Sequence, residues 1–482
     1  MTYDIIIIGA GLGGLTAGAK LSKEGKKVLL IEQHDIPGGC ATTFKRKDYT
    51  FEVGLHEMDG LQGVDMKIKI FRDLGVFDNV EFLRVPEFYH FVNERIEITV
   101  PHNPEKAINT LTERFPEEEE GIKAYFDQII NAKKKAKEAE GKPEISVGEF
   151  LDSVIGNEDL KLILLGNLGY YHDDPYSLSL IYYSLAQARY YLGGGNFIKG
   201  GSQKLSDYLS GFITRNGGEV IFKHMVKEII VEDNNATGVK YVSVKNGEEK
   251  IFSAFAGEII ANAAVPNVAN LLPNESGEKL KQQIKNFKNG ASLLTIYLGF
   301  KKELKDIGSN YYSSFIFDNS IKSQADIKAN NHAGFDKRSF TFVDYSQVDS
   351  ALTKGGKSVG VICGIDYLSD WENLGKEAYK TKKQEVAEIY IDKLENLIPG
   401  IKEHIDYYEV GTSKTVAHYT LNPEGAVYGF AQTPERMMTD KIETVDNLHF
   451  ASAWTKIGGG FSGAVFSGYL CAMDILRKDR RK

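Results

Sequence analysis

The chain of 482 residues is longer than one ordinary hydrophobic core accommodates, which predicts two domains, one of them assembled from separated segments. Its composition, 42% hydrophobic and 26% charged residues, is that of a folded globular protein and excludes extended disorder. With a net charge of −8 no nucleic-acid partner is expected, and the three widely separated cysteines, Cys40, Cys363 and Cys471, exclude a disulfide framework.

The first elements predict a βαβ unit. Residues 3–8 form a strand, a small-residue helix runs to about residue 24, and residues 27–32 form the next strand. Residues 9–14 read Gly-Ala-Gly-Leu-Gly-Gly, which satisfies the G-x-G-x-x-G pattern of a dinucleotide-binding turn. The first glycine permits the tight turn, the second leaves room for a pyrophosphate, and the last allows close packing of helix on strand. The predicted contacts are Gly9, Gly11, Leu12, Gly13 and Gly14.

The residues after the second strand favour FAD over NAD. Glu32 supplies an acceptor for ribose hydroxyls, and its charge disfavours a 2′-phosphate. The glycine-rich turn alone leaves NAD and FAD both open, but a second glycine pair at residues 38–39 lets a further loop pass against the pyrophosphate. The predicted contacts in this part of the chain are Glu32, Gln33, Gly38, Gly39, Cys40 and Thr43.

Two segments in the middle of the chain are predicted to be helical. Residues 104–140 are charged, with acids early and bases late, which predicts a solvated helix. Residues 159–192 are rich in leucine, isoleucine and tyrosine, and Leu178, Ile181, Tyr182 and Leu185 have helical spacing. This stripe indicates a buried core helix or a wall of an apolar pocket. His172, Asp173 and Asp174 are interpreted as a turn before a helix, and no metal site is predicted.

The second half of the chain alternates between strands and helices. A helix at residues 203–214 precedes strands at 219–222, 226–232, 238–244 and 258–261, which return to the nucleotide-binding domain. A second sheet is predicted from strands at residues 292–300, 340–345 and 358–364. The last predicted elements are long helices at residues 378–397 and about 460–477.

Short motifs recur from the beginning to the end of the chain. They are found at residues 31–34 (Ile-Glu-Gln-His), 38–44 (Gly-Gly-Cys-Ala-Thr-Thr-Phe), 49–56 (Tyr-Thr-Phe-Glu-Val-Gly-Leu-His), 199–205 (Lys-Gly-Gly-Ser-Gln-Lys-Leu), 217–220 (Gly-Gly-Glu-Val) and 447–450 (Asn-Leu-His-Phe), and at Gly458, Gly460, Ser467 and Gly468. Together they resemble the phytoene desaturase, carotenoid isomerase and retinol saturase superfamily of FAD enzymes. Regions 61–190 and 300–410 match that superfamily only loosely.

The resemblance implies an α/β fold of the two-dinucleotide-binding-motif flavoproteins, in which a Rossmann-like FAD-binding domain is interleaved with a mixed-sheet and helical substrate domain. Val226 stands where such proteins hold the adenine through backbone bonds. The flavin contacts expected near the carboxy terminus are Ala453, Gly458, Gly460 and Phe461. The FAD-binding domain is predicted to comprise residues 1–60, 196–290 and 420–482, and the substrate domain residues 61–195 and 291–419.

The carboxy-terminal motif also departs from the family pattern. Many relatives carry a Gly-Asp pair whose carboxylate bonds the ribityl chain, whereas this chain has Ser452 and Ala453. Ribityl contacts are therefore expected from the backbone, from Ser452, from water or from elsewhere. The glycines at 458–460 open the last helix, and their amides are expected to face the flavin N1–C2=O edge, although a simple turn before a packed helix is the alternative.

His56 and Glu57 are the predicted catalytic residues, because the resemblance places them near the flavin face. Protonation of one carbon while another takes a hydride requires a group that exchanges a proton. A lone histidine is also a common structural hydrogen-bonding residue, so this alternative stays open. Tyr419 and Tyr428 are second-rank candidates, and Cys40 is interpreted as a small packed residue.

We therefore expect an FAD-dependent oxidoreductase that desaturates, saturates or isomerises C–C bonds of a long apolar, carotenoid- or retinoid-like substrate. NAD(P)H or a quinone is the expected redox partner. Two alternatives are an amine oxidase-like flavoenzyme and a flavin-binding scaffold for lipid or a partner.

The expected location is the cytoplasm, with contact to a membrane from its surface only. The few, scattered cysteines fit a reducing compartment, and no uninterrupted apolar stretch reaches spanning length. The basic end, Arg477, Lys478, Arg480, Arg481 and Lys482, is either a membrane contact or solvated charge at a helix end.

Overall fold

The computed structural model describes residues 2–63, 65–244, 250–438 and 442–480. The strands are β1 (Thr2–Ile8), β2 (Val28–Ile31), β3 (Thr43–Arg46), β4 (Tyr49–Glu52), β5 (Met58–Asp59), β6 (Phe82–Arg84), β7 (Tyr89–Val92), β8 (Glu97–Val100), β9 (Gly195–Ile198), β10 (Glu219–Ile221), β11 (His224–Glu232), β12 (Asn235–Ser243), β13 (Ile251–Ala261), β14 (Ser292–Phe300), β15 (Ser313–Ile316), β16 (Phe340–Asp344), β17 (Ser358–Asp366), β18 (Ile405–Gly411) and β19 (Leu448–Phe450).

The α-helices are α1 (Leu12–Lys23), α2 (Met66–Asp73), α3 (Pro104–Arg114), α4 (Glu119–Ile130), α5 (Ala132–Glu138), α6 (Val147–Val154), α7 (Glu158–Leu164), α8 (Leu180–Gly193), α9 (Gln203–Arg215), α10 (Val265–Leu271), α11 (Asn274–Ile284), α12 (Ile327–Asn331), α13 (Lys376–Leu397), α14 (Ile401–His404), α15 (Ser413–Thr420), α16 (Pro434–Met438) and α17 (Gly460–Asp479). Short 3-10 helices lie at Pro116–Glu118, Leu168–Tyr170, Leu304–Ile307, Gln324–Asp326, Tyr345–Gln347, Leu368–Asp370 and Pro423–Gly425.

The amino-terminal strand lies inside the first sheet. The strand order is β10-β2-β1-β13-β12-β11, and β19 pairs with the end of β13. Strands β1, β2, β10, β13 and β19 are parallel, whereas β11 and β12 pair antiparallel. All of β2 and residues 5–8 of β1 are buried, because parallel strands are covered on both faces. Helix α1 packs against α9 and α17, and the carboxyl ends of β1, β2 and β13 meet at the edge where α1 begins.

The second sheet is mixed and has the order β18-β14-β17-β16-β15-β7-β8. The β7 strand pairs parallel with β15, and the other neighbours in this sheet pair antiparallel. A three-stranded sheet, β5-β9-β6, and the β3-β4 hairpin complete the sheet structure of the described residues. The predicted bounds of the two domains stay a prediction.

Most strands predicted from the alternation of apolar residues are present. The strand at 292–300 has the predicted bounds, and the predicted strands at 340–345 and 358–364 correspond to β16 and β17. The strand predicted at 258–261 is longer, because β13 begins at Ile251 and pairs with β12 over its first half. The long helices predicted at 378–397 and 460–477 correspond to α13 and α17.

The prediction of a single solvated helix at residues 104–140 is wrong. Three helices, α3, α4 and α5, occupy this segment, since Phe115 and Pro116 end α3. Helix α4 also buries Ile122, Tyr125, Phe126 and Ile129 in the helical core. The many charged residues of this segment led to the prediction of a solvated helix, although one face of α4 is apolar and buried.

The tyrosine-rich segment contains the predicted helix, but the side of the helix that is buried is not the predicted one. Leu178 precedes α8, and Ile181 and Leu185 are half-buried. One side of α8 enters the core, and another side lines the cavity through Tyr182, Ala186 and Tyr190. Both interpretations of the segment therefore apply, each to a different side of the helix.

Arg477 and Lys478 lie in the last turn of α17, and both are exposed. Arg480, which follows α17, is also exposed, and Arg481 and Lys482 of the predicted basic end lie outside the described residues. Among the residues that the structure describes, no helix combines the length and the apolar character needed to cross a membrane. The same residues contain no group of three or more His, Cys, Asp or Glu side chains able to hold a metal ion.

Candidate active site

A cavity of about 1020 Å3 opens at the carboxyl ends of β1, β2 and β13 and extends to residues of β14 and β17. The sequence-predicted residues that line it are Gly9, Gly11, Leu12, Gly13, Glu32, Gln33, Gly38, Gly39, Cys40, Thr43, His56, Glu57, Val226, Ala453, Gly460 and Phe461. Gly14 and Gly458, which were also predicted as cofactor contacts, do not line it. Residues from distant parts of the sequence thus meet in one cavity.

The amino end of α1 forms a cradle for an anion. Gly11 precedes the helix and no side chain caps it, so first-turn amides are free to bind a ligand. The Gly38 amide donates to the Ala10 carbonyl at 2.8 Å, which brings the second glycine pair against the first. A Cβ atom added at Gly13 would lie 1.9 Å from the Ala451 carbonyl oxygen. This cradle fits a pyrophosphate.

Gly14 has a packing role. A Cβ atom at this position would lie 2.2 Å from the Gly9 carbonyl oxygen, so only glycine lets helix and strand approach this closely. Gly14 was expected to contact the cofactor, but it contacts the strand instead. Close packing of helix on strand is the role that the G-x-G-x-x-G pattern gives its last glycine.

Sequence reasoning missed Asn262. Its side-chain amide donates to the Gly9 carbonyl at 3.1 Å and lies against Gly11 and Gly13. Asn262 directly follows β13, and the amide of Asn262 itself donates to the Ile8 carbonyl at 2.9 Å. Its position could have been predicted, because the first polar residue after a strand parallel to β1 lies at the same sheet edge as the glycine turn.

The nucleotide end of the cavity is organised by Glu32. One carboxylate oxygen accepts from the Ala10 amide at 2.6 Å and the other from the His34 amide at 2.9 Å. Each oxygen keeps a lone pair that can accept from a ribose hydroxyl. Gln33 and His34 both contact the Tyr419 carbonyl, and Tyr419 is 58% exposed. The structure therefore places Tyr419 at the nucleotide end and away from His56.

The amino end of α17 also faces the cavity. Gly459 precedes this helix without a side-chain cap, and Gly460 and Phe461 line the cavity beside it. Free amides at a helix start favour a partial negative charge, such as that of the flavin N1–C2=O edge. Gly458 instead packs on Tyr182, because a Cβ atom at Gly458 would lie 2.6 Å from that ring.

The hydroxyl of Ser452 forms its hydrogen bonds within the protein. It donates to the Ala263 carbonyl and accepts from the Trp454 amide, both at 3.2 Å. Ala453 lines the cavity and offers only backbone groups there. A ribityl chain bound here would therefore meet backbone atoms at Ala453 instead of a carboxylate.

His56 follows the β4 strand and is fixed from two sides. Its carbonyl accepts from the Tyr312 hydroxyl at 2.6 Å, and its Nδ1 lies 3.3 Å from the Tyr170 hydroxyl. Burial lowers the pKa of His56 to about 4, so the ring is neutral at pH 7. Tyr170, which sequence reasoning missed, leaves Nε2 as the ring atom available to the cavity.

Glu57 is a buried carboxyl that makes no hydrogen bond within the described residues. Burial raises its pKa well above the ordinary value, and Glu87 adds to this effect. The neighbouring Arg84 opposes the shift. The raised pKa favours the protonated form of Glu57, the form in which a carboxyl acts as a general acid.

The rest of the cavity wall is mainly apolar and aromatic. Tyr428 lines it, and burial raises the pKa of its hydroxyl and also that of the Cys40 thiol. A thiol held neutral is a poor nucleophile, which agrees with a packing role for Cys40. The apolar wall includes Leu168, Tyr171, Phe315, Phe317, Ile327 and Phe340.

Comparison with known proteins adds to this geometry. The family described as flavin containing amine oxidoreductase matches residues 12–476. The chain belongs to this family. Its similarity to prolycopene isomerase of Daucus carota is 27% identity over 98% of this chain and 79% of the relative. All-trans-retinol 13,14-reductase of Danio rerio is 25% identical over 99% of this chain and 86% of the relative.

A solved structure confirms the fold class. An oxidoreductase from Methanosarcina mazei superimposes with a TM-score of 0.68 at 18% identity, covering 99% of this chain and 100% of that chain. The predicted family resemblance is confirmed as well. Since the family is flavin-containing and the cavity carries a dinucleotide cradle, the cofactor is FAD and the protein is a flavin-dependent oxidoreductase.

Proposed function

We propose that the protein acts on C–C single or double bonds of a long apolar substrate of the carotenoid or retinoid class. The reaction is a desaturation, a saturation or an isomerisation. The names of the two relatives, a prolycopene isomerase and an all-trans-retinol reductase, support this substrate class.

One observation carries the proposal: the uncapped ends of α1 and α17 open into the same cavity as an apolar, aromatic wall. FAD, when bound, supplies hydride transfer at its N5 atom. The protein then has to exclude water from the reacting carbons and keep the substrate aligned. Apolar side chains such as Phe315, Phe317 and Phe340 suit a chain of conjugated carbons.

Proton exchange is assigned to Glu57 and His56. The raised pKa of Glu57 favours its protonated form, and donation of that proton to one carbon complements hydride addition to the neighbouring carbon. In the reverse direction the carboxylate accepts the proton. Neutral His56 beside Tyr170 orients or relays this proton without adding charge to an apolar cavity.

Oxidation of an amine is the second candidate, because the description of the family names amines. Turnover of a polyamine with release of peroxide would favour it over the main proposal. A flavin-binding scaffold without turnover is the third, and it requires a bound flavin that no donor or substrate reduces.

The redox partner follows from the direction of the reaction. Desaturation requires an oxidant such as a quinone or oxygen, saturation requires NAD(P)H or another donor, and isomerisation transfers no net electrons.

We also propose a cytoplasmic enzyme that takes its substrate from a membrane surface, supported by an apolar cavity and by exposed Arg477 and Lys478. Liposome flotation with and without the last six residues tests this contact, and equal binding by both forms would exclude a role for the tail.

The decisive experiment is an absorbance spectrum of the purified protein, followed by anaerobic titration with retinol, carotenes and unsaturated fatty acids. We expect a flavin band that polyenes bleach or restore, or isomerised polyene on chromatography when the flavin is reduced beforehand. A colourless protein that takes up no FAD, or a flavin that leaves every polyene unchanged, contradicts the proposal.

A further inference from the structure

Arg189 places a positive charge in the wall of the cavity. It lies on α8, one turn from Ala186, two turns from Tyr182 and directly before Tyr190, and all three line the same cavity. These neighbours are apolar or aromatic, so a guanidinium among them is unexpected for a site that takes a pure hydrocarbon. Its side chain keeps 32% of its accessible surface.

The guanidinium has a distant ion pair and a ring contact, and no hydrogen bond within the described residues. Its nearest carboxylate atom is Oδ2 of Asp59 at 4.0 Å, and the Phe466 ring lies under it with 4.8 Å to the ring centre. The Arg189 side chain makes no hydrogen bond among the described residues. Its N–H groups are thus available to a ligand.

Asp59 is already paired. The ammonium group of Lys67, which is fully buried, donates to it at 2.7 Å, and the Ser462 hydroxyl also donates to it. Lys67 also pairs with Asp65 at 3.1 Å, and both Lys67 and Arg189 lower the pKa of Asp59 by their charge, so Arg189 attracts Asp59 without taking one of its hydrogen bonds. Arg46, another cation at the cavity, differs in being held by Glu409 at 2.8 Å.

We propose that Arg189 binds an oxyanion at the end of the substrate, and that the substrate is an apolar polyene ending in a carboxylate. A planar guanidinium fork matches a carboxylate with two parallel hydrogen bonds. The apolar chain then lies along Tyr182, Ala186 and Tyr190. The same charge disfavours a protonated amine, so this inference rests on the proposed function and narrows its substrate class.

The second source of an oxyanion or carbonyl oxygen here is the cofactor. Ser462 belongs to the first turn of α17 and donates to Asp59, so a flavin whose pyrimidine edge met the amides of α17 would lie on the same side of the cavity as Arg189. The experiment therefore has to separate a substrate carboxylate from a flavin carbonyl.

The test uses the FAD-loaded protein with retinoic acid and its methyl ester, which differ at the carboxylate alone. Perturbation of the flavin absorbance gives the dissociation constant of each. We expect the wild type to prefer the acid by about tenfold or more, Arg189→Gln to lose this preference, and Arg189→Lys to keep part of it. Arg114→Gln, which removes an exposed charge on α3, should keep the preference unchanged.

If the wild type binds the acid and the ester with equal affinity, the inference about Arg189 is wrong and the proposed function is unaffected. If it binds neither compound, the proposed function is contradicted as well. The flavin midpoint potential without ligand is measured in parallel. If Arg189→Gln shifts that potential but keeps the preference for the acid, the guanidinium serves the cofactor and the substrate carboxylate is refuted. An unchanged potential together with lost preference supports it.

Discussion

Gly468 of α17 lies against the backbone of Gly13 of α1. A Cβ atom added at Gly468 would stand 2.1 Å from the Gly13 carbonyl oxygen and 3.1 Å from the Ala17 nitrogen. The two helices whose amino ends open into the cavity therefore touch through glycine backbones, and the position of one fixes the other.

Gly468→Ala is expected to separate these helices, because the added methyl group has no free volume. The free energy of unfolding should fall by about 1–3 kcal/mol, and the FAD content of the purified protein should drop, since both cofactor-binding ends move. Thermal unfolding and flavin absorbance measure the two effects. Gly375→Ala is the control, because nothing lies within 4 Å of a Cβ atom there. Full FAD content in Gly468→Ala would contradict the argument.

Glu57→Gln should abolish proton donation while keeping the size of the side chain. We expect kcat to fall by about 10²–10⁴-fold, with FAD binding retained. In the wild type, the rate of a step that needs the acid should fall as pH rises above the raised pKa of Glu57. A pH profile of kcat/KM for both proteins measures this. Glu81→Gln, at an exposed residue bonded to Lys199, is the control.

Much of the cofactor site could be predicted because it depends on local backbone geometry. The turn from Gly9 to Gly14 needs glycines at fixed spacing, and a strand and a helix must flank it, so the sequence carries the whole pattern. Glu32 could be placed for the same reason, since it ends the strand next to that turn. Gly458 was misplaced because a glycine beside a motif looks the same whether it meets a ligand or, as here, the Tyr182 ring.

Residues that reach the site from helices distant in the sequence could not be predicted, because no motif marks them. Tyr170 reaches His56 from a 3-10 helix more than a hundred positions away, and Arg189 enters the cavity from a helix whose apolar stripe indicated a buried core helix or an apolar pocket wall and gave no signal for a cation. The break at Pro116 was overlooked because acidic residues early in the segment and basic residues late in it suggested one helix. Such contacts depend on how the sheets and helices meet, which spacing along one segment does not contain.

Glu52 gives a pH dependence of stability. It is buried and accepts from Ser202, Gly54 and Leu55, and burial raises its pKa to about 7. The folded protein then keeps a proton that the unfolded chain releases near its ordinary pKa of 4.5. This contribution is fully present below that value and is lost as pH rises to about 7, by up to about 3 kcal/mol.

Comparison of urea unfolding between pH 4.5 and 8 in wild type and Glu52→Gln measures this contribution. The difference between the two proteins should change across that window and level off above pH 7. A difference that is independent of pH would show that Glu52 has the same pKa in the folded and the unfolded protein.

Tyr170 is expected to set the tautomer of His56. Burial raises the pKa of Tyr170, so its hydroxyl stays protonated and donates to Nδ1 across the 3.3 Å contact, which leaves the ring proton on Nε2 toward the cavity. Nitrogen chemical shifts of 15N-labelled histidine, assigned with His56→Gln, distinguish the two tautomers. We expect the Nε2–H form in the wild type and a mixture in Tyr170→Phe, with kcat reduced by about tenfold and KM unchanged. An Nδ1–H signal in the wild type would show instead that His56 donates to Tyr170, and the ring would then present an acceptor to the substrate.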